Sequence, residues 1–265
     1  MRERAQFDPD ALARIAVREG WQAAVHDYLR ARDPAAYRYA TDPQTATWRL
    51  LLAPAEDARV LLLCPGLGVA PFLFAQEGAQ VSCACASPAE AEYLRARASQ
   101  QGLQRLSVCV WDGESPLAEA DGRFDLLAAV GGGVRGAVLL REARRLLREG
   151  GELFWAGSRR ELRPSECRPR LEAQGFVDLR AYGLIPSHRQ PFFIVPLWSD
   201  TALEHCLGRL AQAYDFSEAL PPAAWAAWRA LVRRGWRTLQ ALGLTGAVCR
   251  RLPAYGLVAR RNAGT

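Results

Sequence analysis

The sequence predicts an α/β protein built on a doubly wound sheet, and three observations carry that prediction. Arg59 to Ser87 (RVLLLCPGLGVAPFLFAQEGAQVSCACAS) has the pattern of a buried strand, a glycine turn, a helix and a second buried strand, the opening unit of such a sheet. Strand-like and helix-like stretches keep alternating downstream of it. Val60 to Leu63 is also a continuous apolar run, as expected for a parallel strand covered on both faces.

Before the sheet, Asp8-Pro9-Asp10 is a helix start, with a capping aspartate, proline at the first helical position and an acid near the positive helix end. The spacing predicts one helix from there to about Arg30, stopped before Asp33-Pro34. An aromatic-rich segment (AYRYATDPQTATWRLLL) follows. In the sheet itself, Val60 to Leu63 is the first strand, and Gly66-Leu67-Gly68 turns into a helix ending near Gly78. Val81 to Cys85 is the second strand, and Ser87-Pro88-Ala89-Glu90 caps a helix to about Gly102. Leu106 to Val110 and Phe124 to Val130 are the third and fourth strands. A helix through LLREARRLL should end at Gly150-Gly151, followed by ELFWAG as a fifth strand. A helix over Glu161 to Ala173 and a sixth strand over Phe176 to Tyr182 complete this run. Beyond Pro196 the pattern turns helical (Thr201 to Asp215, then Pro222 to about Leu242), and LPAYGLVARR closes the chain as a strand. The expected units are therefore an N-terminal helical cap (1–50), the sheet core (51–200), a helical annex (201–250) inserted before the last strand, and that strand with its tail (251–265).

Composition narrows the chemistry. The chain has 265 residues, 50% of them hydrophobic, enough for one large core. All 34 basic side chains are arginine, so no lysine can act as a Schiff base, general base or phosphate-loop cation. The net charge of +6 is spread without a basic block, and no nucleic-acid partner is expected. Seven cysteines, without framework or zinc spacing, point to reduced thiols, a cytoplasmic location and no metal. The first residues lack the apolar core of a signal peptide, and the longest apolar stretch is broken by Pro65, Gly66, Gly68 and Pro71, so no membrane span is expected.

Gly66-x-Gly68 after a strand lets backbone approach a ligand closely. The dinucleotide form of the motif needs a third glycine where this chain has Pro71, which disfavours a nicotinamide-dependent oxidoreductase. The succession VLLLCPGLG, then SP after the second strand, an Asp-Gly pair after the third, FDLL, and LREARRLLREGGEL resembles the class I S-adenosylmethionine-dependent methyltransferases. The flanks, YRYATDPQTATWRLL and YGLIPSHRQPFFIVPL with RLPAYGLVARR, are similar to methyltransferase domains from bacterial polysaccharide and secondary-metabolite gene neighbourhoods. The resemblance implies a Rossmann-like methyltransferase sheet with S-adenosylmethionine as cofactor. Cys64, Gly66 and Gly68 would line its methionine end, Cys85 would stand at the position of the acid that holds the ribose, and Asp112, with its neighbour Trp111, would meet the adenine.

The chain departs from that pattern at three positions. Leu62 stands where an acid is common, Cys64 replaces the first glycine, and Cys85 cannot accept paired ribose hydrogen bonds. Losing a charge-assisted pair weakens binding about ten- to a hundredfold. Cys83 and Cys85 share one strand face beside Cys64 and fit the role of small buried hydrophobes. Of the three histidines, His26 suits a surface or capping role, and His188 lies in the PSHRQP turn. By the same resemblance that turn is near the active-site mouth, so His188 and Arg189 become candidate substrate contacts, with Tyr39 contributed by an aromatic cap that also holds Tyr37 and Trp48. In the annex, Trp225, Trp228, Val232, Trp236 and Leu239 recur at helical spacing, a stripe suited to packing or to docking a partner.

Two functions remain open at this level. One is methyl transfer to a small molecule or glycan-type intermediate. The other is a catalytically silent methyltransferase-like subunit that serves as a partner-binding scaffold.

Overall fold

The computed structural model describes residues 7–52, 54–131, 133–199 and 251–263, together with residues 230, 234–235, 237–238 and 241–242. The annex helix expected over Thr201 to Asp215 lies outside the described residues, as do His205, Trp225, Trp228, Val232, Trp236 and Leu239.

The strands are β1 (Arg59–Leu63), β2 (Gln80–Cys85), β3 (Leu106–Val110), β4 (Phe124–Val130), β5 (Leu147–Ser158), β6 (Phe176–Pro186), β7 (Pro191–Pro196) and β8 (Ala254–Arg261). They form one sheet in the order β3-β2-β1-β4-β5-β8-β6-β7. The pairs joining β1 to β5 are parallel, while β8 runs antiparallel between β5 and β6. The predicted α/β sheet is therefore present, with its last strand returning to the interior.

Alternation of side chains sorts this sheet into two cores. Val60, Leu62, Leu126, Ala128, Phe154 and Ala156 pack on one face with the N-terminal cap and the helices α4 (Ala70–Gln76) and α5 (Pro88–Gln100). Leu61, Leu63, Leu127, Ala129, Leu153 and Trp155 pack on the other with α6 (Gly136–Leu146) and α7 (Pro164–Ala173). Both faces are buried, which is why β1 is apolar at consecutive positions. Cys83 and Cys85 do share a face, and both are buried.

The cap departs from the single helix expected. α1 (Pro9–Arg18) starts on Asp8, whose side chain accepts the Asp10 N–H at 2.9 Å, and it stops at Gly20, where φ is +108°. The break frees the Ala16 carbonyl and the Trp21 N–H. Gln100 of α5 takes both, at 2.8 and 2.7 Å. A π-helix (Ala23–Leu29) and α2 (Arg30–Arg32) follow. Two further Asp-Pro pairs then start helices: Asp33 caps α3 (Pro34–Thr41) and Asp42 caps a 3-10 helix (Pro43–Leu51). Asp33-Pro34 is thus an ending and a beginning at once.

Two more boundaries differ. α6 ends at Leu146 rather than at Gly150-Gly151, because Leu147 is already extended and pairs with Phe124. β6 continues to Pro186 and turns through His188 into β7, an edge strand that prolines at both ends concealed from a sequence reading.

Candidate functional site

The order of the sheet reverses at β1, which has β2 on one side and β4 on the other. In open sheets of this kind the crevice beyond the strands' carboxyl ends, at such a reversal, is where ligands bind. Backbone hydrogen bonds line up the strand tips there: Cys64 N–H to Ala84 O, Trp111 N–H to Cys85 O and Gly131 N–H to Ala156 O, each 2.8 Å.

From the tip of β1 the chain makes a tight turn. Cys64 and Gly66 have φ of +48° and +58°, in the region that favours glycine, so Cys64 carries a side chain where a residue without one would be unstrained. Its Sγ lies 3.8 Å from Gly133 O across the crevice, and a Cβ on Gly133 would sit 2.7 Å from Cys64 Cβ. Tyr39 of α3 holds the turn at both ends. Its carbonyl accepts the Val69 N–H at 3.2 Å, and its hydroxyl donates to Pro65 O at 3.1 Å. Burial of that hydroxyl pushes its pKa up to about 12, with Arg189 opposing the rise and Glu90 adding to it.

A Cβ on Gly68 would lie 2.8 Å from Tyr39 Cζ and 3.0 Å from Pro65 O. Because Pro65 O is backbone, Tyr39 would have to move. Gly68→Ala should therefore cost about 1–3 kcal/mol, read as a lower thermal midpoint. Tyr39→Leu in the same chain should recover part of it. An alanine variant as stable as the parent would mean that Tyr39 is not seated on the turn.

Both thiols of the site are neutral at neutral pH. Burial, reinforced by the charge of Glu90, pushes Cys64 up to about 11 and Cys85 to about 12. Neither is a thiolate, the form needed for attack or for binding a metal.

At the tip of β3 the two candidates differ in their use. Trp111 is buried in the second core and donates from Nε1 to Ser115 O at 2.7 Å. Asp112 is exposed and organises the following loop. Its Oδ1 accepts the N–H groups of Glu114 and Ser115, both at 2.8 Å, and its Oδ2 accepts Ser115 Oγ at 2.7 Å. The Glu114 N–H, then the Ser115 hydroxyl and N–H, hold its pKa down. A carboxylate has about four acceptor directions, so roughly one remains for a ligand.

On the far side, His188 packs on the tip of β4, its Nε2 3.4 Å from where a Cβ on Gly131 would stand. Burial lowers its pKa, with Glu161 pulling it up and Arg189 pushing it down. Arg189 is exposed beside it. Glu161 faces the pair from the segment after β5. Burial raises its pKa, but the Ser158 contacts and the charges of His188 and Arg189 outweigh that and lower it.

Of the expected residues, the structure brings Tyr39 onto the Cys64–Gly68 turn, leaves Cys85 and Asp112 at the ends of β2 and β3, and sets His188 against Gly131 at the end of β4. Two cap aromatics are used otherwise. Tyr37 accepts or donates a hydrogen bond with His26 at 3.1 Å, and Trp48 stacks on Phe154 in the core at 4.6 Å. Glu90, Gly133 and Glu161 were missed in the sequence. Gly133 and Glu161 carry no local signal, since their relation to Cys64 and His188 spans the sheet.

No protein-family model matches the sequence, and no curated protein matches it. Solved structures do match. Phosphoethanolamine N-methyltransferase 2 of Haemonchus contortus, solved with phosphomonomethylethanolamine and S-adenosylhomocysteine, is 13% identical with a TM-score of 0.54, over 98% of this chain and 61% of its own. A Haloferax volcanii protein assigned as a methyltransferase, in complex with the Trm112 methyltransferase activator, is 14% identical with a TM-score of 0.53, over 97% and 99%. The fold is that of class I methyltransferases. The [4+2]-cyclase SpnF has this methyltransferase fold as well, at 20% identity and a TM-score of 0.50 over 84% and 81%, so the fold alone does not name the reaction. Among the described residues, no helix is long and apolar enough to cross a membrane.

Proposed function

We propose that the crevice binds S-adenosylmethionine and that the protein transfers its methyl group to a small molecule or glycan-type intermediate. The observation that carries this reading is the Cys64–Gly68 turn at the reversal point of a methyltransferase sheet, where Gly66 and Gly68 carry no side chain and Tyr39 lies over them. When bound, the cofactor supplies a methyl group on a sulfonium, already activated for transfer. The residues fit such a group. Gly66 and Gly68 would adjoin its methionine end, with Cys64 beside them. Asp112 keeps room for one amino hydrogen of the adenine, and Cys85 would lie near the ribose. Tyr39 covers Gly68 with its hydroxyl held by Pro65 O, so a ligand on the turn displaces one hydrogen bond. His188, kept neutral by burial, stands with Arg189 at the mouth, where the methyl acceptor would enter. Positioning is most of what such a transfer requires of the protein.

A second reading, the partner-binding scaffold, is favoured by one feature. Tyr39 on Gly68 and the Cys64 side chain against Gly133 close the cradle from both sides. Calorimetric titration with S-adenosylhomocysteine separates the two. Micromolar binding, weakened at least about tenfold in Asp112→Ala, is the expected result for the enzyme. Absence of binding up to millimolar concentration would leave the scaffold and overturn the first reading.

A further inference from the structure

Gly131-Gly132-Gly133 follows β4, a strip of chain without side chains at the strand tip nearest the glycine turn. Groups from elsewhere border it at both ends. His188, in the turn between β6 and β7, has its Nε2 3.4 Å from where a Cβ on Gly131 would stand. Cys64, on the glycine turn, has its Sγ 3.8 Å from Gly133 O. Two residues of chain span at most about 7 Å, so the strip between these borders is about one ring wide. The next tip is arranged in the same way. The Gly131 N–H donates to Ala156 O at 2.8 Å, which sets Gly157 of β5 beside Gly131 at the usual strand spacing of about 4.8 Å. Glu161 lies on Gly157, its Oε2 3.3 Å from where a Cβ there would stand and accepting the Ser158 N–H at 2.7 Å. An imidazole and a carboxylate thus stand over neighbouring glycine tips.

We propose that this strip seats a hydroxyl of the methyl acceptor, that His188 is the general base for it, and that Glu161 is a positioning residue that offsets the charge His188 gains. The acceptor is then an alcohol or a phenol. This rests on the reading of the crevice as an S-adenosylmethionine site. In the step, the hydroxyl oxygen bonds to the methyl carbon and the carbon–sulfur bond breaks, its electron pair staying on sulfur. The hydroxyl proton passes to the imidazole, leaving a methyl ether, a neutral thioether and an imidazolium. Burial keeps His188 in the neutral form that can take a proton. Of the charges set against it, Glu161 favours the imidazolium and Arg189 opposes it. Arg189 also repels an acceptor arriving as an ammonium ion, and a thioether has no proton to give up.

The test gives the full chain S-adenosylmethionine with an isotope-labelled methyl group, together with the small-molecule extract of its source cells, and identifies the new methyl by NMR. The label should appear as an O-methyl group. His188→Asn should transfer it about a hundred- to ten-thousandfold more slowly while binding S-adenosylhomocysteine as the parent does. An N-methyl or S-methyl product overturns the hydroxyl assignment, and so does a parent that binds S-adenosylhomocysteine yet labels nothing. Both results stand even if a variant does not fold. A folded His188→Asn variant that transfers at the parent's rate overturns the base. Glu161 is read without any ligand, from the imidazole signals of the chain's three histidines. The signal missing in His188→Asn marks His188, and its titration midpoint should fall in Glu161→Gln, which removes the charge favouring the imidazolium. A midpoint that does not move overturns the part given to Glu161. A parent that does not bind S-adenosylhomocysteine up to millimolar concentration overturns the adenosyl reading itself, and this assignment with it.

Discussion

Arg97→Ala is expected to destabilise the protein by about 3–5 kcal/mol, a fall in thermal midpoint of roughly 6–20 °C. Arg97 is 4% exposed, and no carboxylate pairs with it among the described residues. Its Nη1 instead donates to Ala40 O at 2.7 Å and to Tyr93 Oη at 3.1 Å. The guanidinium lies 4.0 Å from the centre of the Phe72 ring and 4.4 Å from that of Trp21. It therefore clamps the N-terminal cap to α5 through the Trp21 ring face and the Ala40 carbonyl, and packs on Phe72 of α4. Alanine removes these contacts, leaves Ala40 O without that donor and opens a cavity. Against this stands the relief of desolvating a charge whose Nε has no partner. Met should accordingly cost less than Ala, since it restores the volume without the charge. The effect should also reach the site, because Ala40 adjoins Tyr39, which sits on the glycine turn. Faster amide exchange in α3 and at Val69 would report that link. A loss below about 1 kcal/mol would show that the clamp does not hold the cap.

Arg145→Ala should have an effect of similar size, about 3–5 kcal/mol, for a different reason. The Glu142 side chain is 1% exposed, and its Oε2 accepts Arg145 Nη2 at 2.7 Å and the Leu117 N–H at 3.1 Å. Arg145 also donates to the carbonyls of Leu117 and Glu119 and to Asp121, tying the loop before β4 onto α6. Removing the arginine leaves the buried carboxylate with only the Leu117 N–H and the half-exposed Arg141 as partners. Burial by itself raises the Glu142 pKa, but Arg145, the Leu117 N–H and Arg141 outweigh it, so the net direction is down. A carboxylate with a depressed folded pKa contributes stability that is present above its unfolded value, about 4.3, and is lost as pH falls through the folded one. The parent should therefore lose stability below about pH 4.5. In Arg145→Ala burial wins and the sign reverses, so the deficit relative to the parent should shrink as pH drops from about 7 to about 5. Denaturant melts across that range read it directly. A deficit independent of pH would mean that the carboxylate is not the buried charge at issue.

The elements that were legible in the sequence are those whose signal is local. A continuous apolar run marked β1, and Asp-Pro and Ser-Pro pairs marked the starts of α1 and α5. The cap was misread as one helix because the hydrogen bonds that stabilise its break at Gly20 come from Gln100, at the far end of α5. β7 was missed because it is defined by pairing with β6, while its terminal prolines suggest a loop. The same division runs through the site. The glycine turn was visible, yet that Tyr39 lies over it is decided by side-chain placement.

The chain by itself determined the layered α/β architecture, the position of the glycine turn and the lack of any lysine chemistry, since periodicity, turn residues and composition are properties of neighbours in sequence. Tertiary structure alone decided that Tyr39 lies on Gly68 and that Cys64 reaches Gly133. Those relations join residues on different strands and helices, and they exist only once the sheet has brought its strand tips into one row.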